Sequence, residues 1–253
     1  METKTEKIPH IIHYCWFGGG RKPPGVRRYI ENWKKMLPGY QFMEWNEENF
    51  RIAMFPFAEK AWLEKKYAFV SDVARVWALY VWGGIYLDTD VEVVRDFSDC
   101  LEGREMVLGF EEEDHLMTAF MAAVPGHLLL QEMLDYYAGR TFGESGSADD
   151  EANPIVLSRL ADRRGLVRDN RRQILEGEIE VFPAEYFSAY RLRGEEICAT
   201  ENTYTVHHFS GSWKPWSVRF RKNCKYLIRG LFGQDMLDML VENGRRAKSS
   251  GRE

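Results

Sequence analysis

The sequence has 253 residues, 45% apolar and 14% aromatic, which is enough to bury one substantial core and excludes wholesale disorder. A formal net charge of −5 argues against a nucleic-acid partner, which would leave a basic footprint. The four cysteines, Cys15, Cys100, Cys198 and Cys224, form neither a CxxC pair nor a zinc spacing and read as isolated thiols in a reducing compartment.

Ile8–Phe17 is apolar and β-rich and runs into Gly18-Gly19-Gly20, which predicts a buried first strand and a glycine loop. Residues 25–37 then carry Val26, Tyr29, Ile30, Trp33 and Leu37 at helical spacing. Pro38-Gly39 stops that helix, and Tyr40–Trp45 reads as a second strand, opening a βαβ layout. A further helix is predicted from the N-cap types Ser71-Asp72 to Gly83-Gly84, with Val73, Val76, Trp77 and Tyr80 on its apolar face. Asp72 and Arg75, three apart, share a different face. Ile85-Tyr86-Leu87 is a short strand that delivers Asp88 and Asp90 at its C-terminal end, and Val91–Val94 continues as strand.

Arg104–Phe110 reads as a strand ending in the acidic loop Glu111–Asp114, and His127–Tyr137 as a helix. Thr141–Glu151 is polar and glycine-containing and reads as a mobile loop. A helix near Ile155–Leu160 and strands at Ile179–Phe182 and Tyr204–Phe209 complete the pattern. No internal repeat or linker divides the chain, so residues 1–243 are expected to be one α/β domain and 244–253 a disordered tail. Residues 214–243 form a basic, amphipathic C-terminal segment, predicted helical; Arg219, Arg221, Lys222, Lys225 and Arg229 give it either a solvated face or a weak contact with anionic lipid. No apolar run is long enough to span a bilayer and no charged-then-apolar leader pattern is present, so the expected location is cytoplasmic, at most at the inner face of a membrane.

Asp88-Thr89-Asp90 carries the chemistry. Two carboxylates two residues apart at a strand end converge once the chain turns out of the sheet, and such a pair suits Mn²⁺ or Mg²⁺ completed by phosphate oxygens. The crevice beyond the carboxyl ends of strands is also where α/β sheets bind ligands. The second block is Val206–Trp216, VHHFSGSWKPW, where two histidines end a strand ahead of a Gly-Ser loop. His208 could supply a nitrogen ligand from across the cleft, with Ser212 and Lys214 meeting phosphate oxygens.

The block SDVARVWALYVWGGIYLDTDVEV at 71–93 resembles the DXD sugar-binding region of the family 32 glycosyltransferases, and IPHIIHYCWFGG at 8–19 resembles the first strand of that family. His208 and Lys214-Pro215-Trp216 stand at a spacing similar to the His-x5-Lys-Pro-Trp of family 8 retaining glycosyltransferases. The resemblance implies a single GT-A (Rossmann-like) domain with a mixed central sheet, flanking helices and helical additions. It also implies a retaining, metal-dependent transfer of a hexose or N-acetylhexosamine from a nucleotide-sugar, UDP favoured, to a glycan or lipid-linked acceptor, as in surface polysaccharide synthesis.

Carried over residue by residue, Trp16 would stack on the donor base, and Asp72 and Arg75 would touch donor-sugar hydroxyls. Asp88 would meet the ribose or sugar, Asp90 with Asp88 and His208 would hold the metal, and Ser212, Trp213 and Lys214 would close on the diphosphate. The structural alternatives are a core role for Trp16, and a helix cap with its ion-pair partner for Asp72 and Arg75. No nucleophile stands out. Glu111, Glu112 and Asp150 read as solvated loop acids, and Asn153 stands where the family pattern has glycine, which bears on the acceptor side.

Two rivals remain at this stage. Leu87–Val91 also fits the hydrophobic-DxDx[TV] pattern of haloacid-dehalogenase-like phosphatases, with Asp88 as nucleophile. A non-catalytic sugar-binding module is the other, although a metal site facing His and Lys is unneeded in a lectin.

Overall fold

The computed structural model describes residues 8–111, 115–144, 152–191 and 196–210. The expectations for Glu112, Asp150, Ser212, Trp213, Lys214, the 214–243 segment and the 244–253 tail lie outside the described residues. Residues up to His208 belong to one compact unit. In chain order its elements are β1 (Ile11–Cys15), α1 (Pro24–Met36), β2 (Gln41–Trp45), a 3₁₀ turn (Ile52–Met54), α2 (Pro56–Leu63), α3 (Tyr67–Trp82), β3 (Gly84–Leu87) and β4 (Val91–Val93). Then follow α4 (Ser98–Leu101), β5 (Met106–Gly109), β6 (Phe120–Ala123), α5 (Leu128–Ala138), α6 (Asn153–Asp162), β7 (Gln173–Leu175), β8 (Ile179–Phe182), α7 (Ala184–Phe187), β9 (Tyr190–Arg191), β10 (Glu196–Ile197) and β11 (Thr205–His207).

Seven strands form a mixed sheet in the order β2-β1-β3-β6-β5-β8-β7. β1 runs parallel to β2 and β3, β6 is antiparallel to β3 and β5, and β8 is parallel to β5. Alternation along each strand feeds two cores, because successive side chains leave opposite faces. Tyr86, Met106, Leu108, Met121 and Ala123 enter one core, beneath α2, α3, α5 and α6. Ile85, Leu87, Val107, Phe120 and Ala122 enter the other, beneath α1. β4 and β11 pair separately as an antiparallel ladder, and β9 with β10 as another.

The third helix begins one turn earlier than its N-cap residues suggest. Nothing in Tyr67-Ala68-Phe69-Val70 breaks a helix, so α3 starts at Tyr67 and Asp72 lies inside it, buried, rather than capping it. α3 is apolar on nearly every face (Val70, Val73, Ala74, Val76, Ala78 and Leu79 are buried) because it packs on β1 and β3 below and on α2 and α5 at its sides. It ends at Gly83 (φ +61°) and Gly84 (φ +100°), where a Cβ on Gly84 would sit 2.5 Å from the Ile11 carbonyl oxygen. Only glycine permits this turn, and the turn brings β3 straight back alongside β1.

His13, fully buried on β1, locks the same turn. Its Nε2 lies 2.8 Å from the Gly83 carbonyl oxygen and its Nδ1 accepts a 3.1 Å bond from Trp45 Nε1, so the ring is neutral with its proton on Nε2. Burial lowers its pKa from 6.5 to about 4, against the Gly83 hydrogen bond, which raises it. Because the folded value lies below the unfolded one, His13 gives stability above pH 6.5 that drains as pH falls toward 4. We predict that between these values this residue contributes a slope of about 1.4 kcal/mol per pH unit. Urea unfolding of His13→Gln across that range should show a pH slope smaller by about one proton. Equal slopes in variant and wild type would show that His13 does not titrate on unfolding.

Candidate metal and donor site

β1 and β3 are parallel, with Ile12 opposite Ile85 and His13 opposite Tyr86. Continuing that offset sets Cys15 and Trp16 level with Asp88 and Thr89, so both strands discharge at one edge of the sheet. The Asp88 amide donates to the Ala119 carbonyl at 2.9 Å, and the Val91 amide to the Asp88 carbonyl at 2.9 Å, folding Asp88-Thr89-Asp90 into a tight turn. α1 then grips the exit: Trp33 Nε1 donates to the Val91 carbonyl at 2.8 Å, and Asn32 Oδ1 accepts from the Val93 amide at 3.0 Å.

Arg75 occupies the floor of this edge. Its Nη2 lies 3.0 Å from Asp72 Oδ1 and 3.3 Å from Asp88 Oδ1, and its Nη1 donates to the Thr118 carbonyl at 2.8 Å. The guanidinium also stacks on the Tyr86 ring at 4.6 Å, and Tyr86 Oη donates to Asp88 Oδ1 at 2.9 Å. Both contacts to Asp88 fall on Oδ1, so among the described residues Oδ2 is the oxygen left for a ligand.

Burial raises the Asp72 pKa to about 6; Arg75 lowers it, Asp88 raises it further, and an Asn153 backbone hydrogen bond lowers it. Burial also opposes the Arg75 charge, but Asp88, Tyr86 and Asp72 outweigh it and the group stays charged. Asn153 is buried at the start of α6. Its side-chain amide donates to the Asp72 carbonyl at 2.9 Å, and its Oδ1 accepts from Tyr137 Oη at 2.6 Å, so this departure from the family pattern braces α3.

The histidine beside the aspartates is not the His208 expected from sequence. β11 pairs with β4 so that His207 lies opposite Val91, and this register turns His207, not His208, toward the aspartates. Asp88, Asp90 and His207 each bring one ligand atom, all within 4.8 Å of one another. His207 Nε2 is 3.3 Å from Asp90 Oδ1, and Nδ1 is 3.5 Å from Glu111 Oε1. His208 points elsewhere: its Nε2 meets Glu92 Oε2 at 2.8 Å, and its ring stacks on Tyr29 at 5.1 Å. Burial alone would lower the His207 pKa, yet Asp90 and Glu111 raise it to about 10, so a proton stands where a cation fits. Two carboxylates and one imidazole form a donor set that suits Mn²⁺ and, less well, Mg²⁺.

Trp16 is half-buried, donates from Nε1 to the Gly20 carbonyl at 2.6 Å, and has the Lys22 ammonium 6.0 Å from its ring. It stands at the right edge for a base platform but is pinned to its own glycine loop. Glu111, read from sequence as a solvated loop acid, turns inward to His207.

Residues 23–109 match the family described as the glycosyltransferase sugar-binding region containing the DXD motif. The chain is a glycosyltransferase. It is 26% identical over 216 residues to an uncharacterised glycosyltransferase of Acanthamoeba polyphaga mimivirus, covering 82% of this chain and 84% of that one. It is also 26% identical over 167 residues to inositol phosphoceramide mannosyltransferase 1 of Schizosaccharomyces pombe, covering 61% of this chain and 51% of that one. The solved PaToxG glycosyltransferase overlays on 62% of this chain and 70% of its own, with a TM-score of 0.52 and 17% identity. The fold of this glycosyltransferase is GT-A, and the phosphatase alternative falls with it. Here the DxD follows the third strand in chain order, and Arg75 and Tyr86 already engage Asp88 Oδ1.

Arg75→Met should leave Asp72 and Asp88 without a counter-charge and cost about 3–5 kcal/mol. Pairing it with Asp72→Asn should recover part of that loss. Urea unfolding in chelator measures both, and a loss under about 1 kcal/mol, the scale of a surface pair, would mean that Arg75 does not stabilise the floor.

Proposed function

We propose that this glycosyltransferase moves a hexose or N-acetylhexosamine, with retention, from a nucleotide-sugar to a glycan or lipid-linked glycan, with UDP the favoured nucleotide and Mn²⁺ or Mg²⁺ required. The observation that carries the reading is the convergence of Asp88, Asp90 and His207 at the edge where β1 and β3 end.

A cation bound there would supply positive charge facing the leaving diphosphate. The protein's own groups do the rest. Arg75 and Tyr86 fix Asp88 so that one oxygen stays available to the donor. Asp72, held by Arg75, lies on the same floor and can accept from a sugar hydroxyl. Trp16 offers an aromatic face for the base at the mouth of the glycine loop. Cleaving the sugar–phosphate bond builds positive charge at the anomeric carbon, and the acids lining this site favour it. Asp72 is committed to Arg75 and Glu111 to His207, so the reading assigns no enzymic nucleophile. Lys214, Ser212 and Trp213 are proposed from sequence to close on the diphosphate and exclude water.

The name of the fission-yeast relative makes a ceramide with an inositol phosphate headgroup one acceptor class worth assaying, alongside polysaccharide acceptors. A cytoplasmic location, at most at the inner face of a membrane, is part of the proposal. Among the described residues, no helix is long and apolar enough to cross a membrane.

Calorimetric titration of UDP and of GDP, with Mn²⁺ and with chelator, on wild type and Asp90→Ala, tests the reading. UDP binding should require the metal and weaken at least about tenfold in the variant. Preference for GDP would redirect the donor search to mannose or fucose. No metal-dependent binding of either nucleotide, or binding unchanged in Asp90→Ala, would overturn the site.

A further inference from the structure

Glu111 follows β5 by two residues, at a point the sheet dictates. Gly109 lies opposite Phe182 in the parallel β5–β8 register, and the Phe110 amide donates to the Phe182 carbonyl at 2.9 Å. Phe110 also bridges to Leu116, and the Glu111 amide donates to the His115 carbonyl at 2.8 Å, closing the base of the acidic loop. The Glu111 backbone is therefore as fixed as the strand before it, and its side chain is only 22% exposed.

Its carboxylate faces the His207 ring on the side opposite the aspartates. Nε2 of that ring looks at Asp90 and Nδ1 looks at Glu111, so one imidazole stands between two carboxylates from different segments, the exit of β5 and the DxD turn. A ligating imidazole works best when its other nitrogen gives its proton to a carboxylate, which fixes the tautomer and ring angle and makes the ligating nitrogen more basic.

We infer that Glu111 is the positioning residue of the metal site, holding the proton of His207 on Nδ1 so that Nε2 presents its lone pair beside Asp90. This rests on the proposed Asp88–Asp90–His207 site and adds a residue to it. Glu111 itself stays off the cation; its effect passes through the histidine.

The test uses Mn²⁺ alone as probe with the full chain: wild type, Glu111→Gln, Glu111→Leu and His207→Gln. Free Mn²⁺ is counted by its EPR signal, and pulsed EPR reads nitrogen coupling from a bound imidazole. Glu111→Leu should weaken Mn²⁺ binding by about 10- to 100-fold and reduce the nitrogen coupling of the ion that remains bound. Glu111→Gln, which keeps an acceptor but loses the charge, should fall between it and wild type. Unchanged melting temperatures in chelator separate this effect from misfolding. If His207→Gln weakens binding while both Glu111 variants match wild type in affinity and nitrogen coupling, the inference is overturned and the site stands. If His207→Gln also matches wild type, the site reading fails and takes the inference with it.

Discussion

The Arg75 guanidinium, buried between Asp72 and Asp88, is the interaction on which the rest of this site depends. Two carboxylates on one side of a buried cation are tolerable only while the cation stays, because removing it leaves uncompensated charge in low dielectric. The geometry makes Arg75 hard to replace. One guanidinium reaches α3's own Asp72, the Asp88 turn and the Thr118 carbonyl, and lies flat on Tyr86. A lysine ammonium has neither the fork nor the flat face for that combination. Arg75 thus ties α3, the end of β3 and the approach to β6 at one point, and it sets which oxygen of Asp88 looks outward.

The charge balance of the edge favours a cation there. Asp72, Asp88, Asp90 and Glu111 bring four carboxylates, answered by Arg75 and by a His207 whose proton Asp90 and Glu111 favour. Such a surface repels a diphosphate. A divalent ion that displaced the His207 proton would make the edge one charge less negative and would set a dication at the point facing a bound diphosphate. The attraction for a cation is therefore an electrostatic property of the edge as a whole, beyond the ligating pair.

Much of the frame was legible in the sequence because local patterning and local structure agree there. β1, β2, β3, β8, α1 and α5 follow apolar periodicity bounded by Gly or Pro, and the DxD at the end of β3 could be placed without coordinates. The misses have physical causes. β6 is Phe-Met-Ala-Ala, four residues without a β-branched side chain, and is a strand only because β3 and β5 flank it. α2 mixes aromatics with charge on one short helix, with no cap residue to announce it. Asp72 reads as a cap by residue type, but the apolar run before it extends the helix past that position.

The choice between His207 and His208 turns on strand register, which a single sequence does not encode. Slipping β11 by one residue against β4 would exchange the two imidazoles, since adjacent side chains leave opposite faces. The usual local clue is missing, because Thr205, Val206 and His207 are all buried and show no alternation. What selects the register is the set of partners on the two sides. His208 has Glu92 and the Tyr29 ring waiting on one face, while Asp90 and Glu111 enclose His207 on the other. Each histidine is thus matched to a carboxylate from β4 or its flanking turn, and a slip would break both pairings at once. The ladder that closes the site from the far end of the described chain is held in place by the electrostatics that make the site useful.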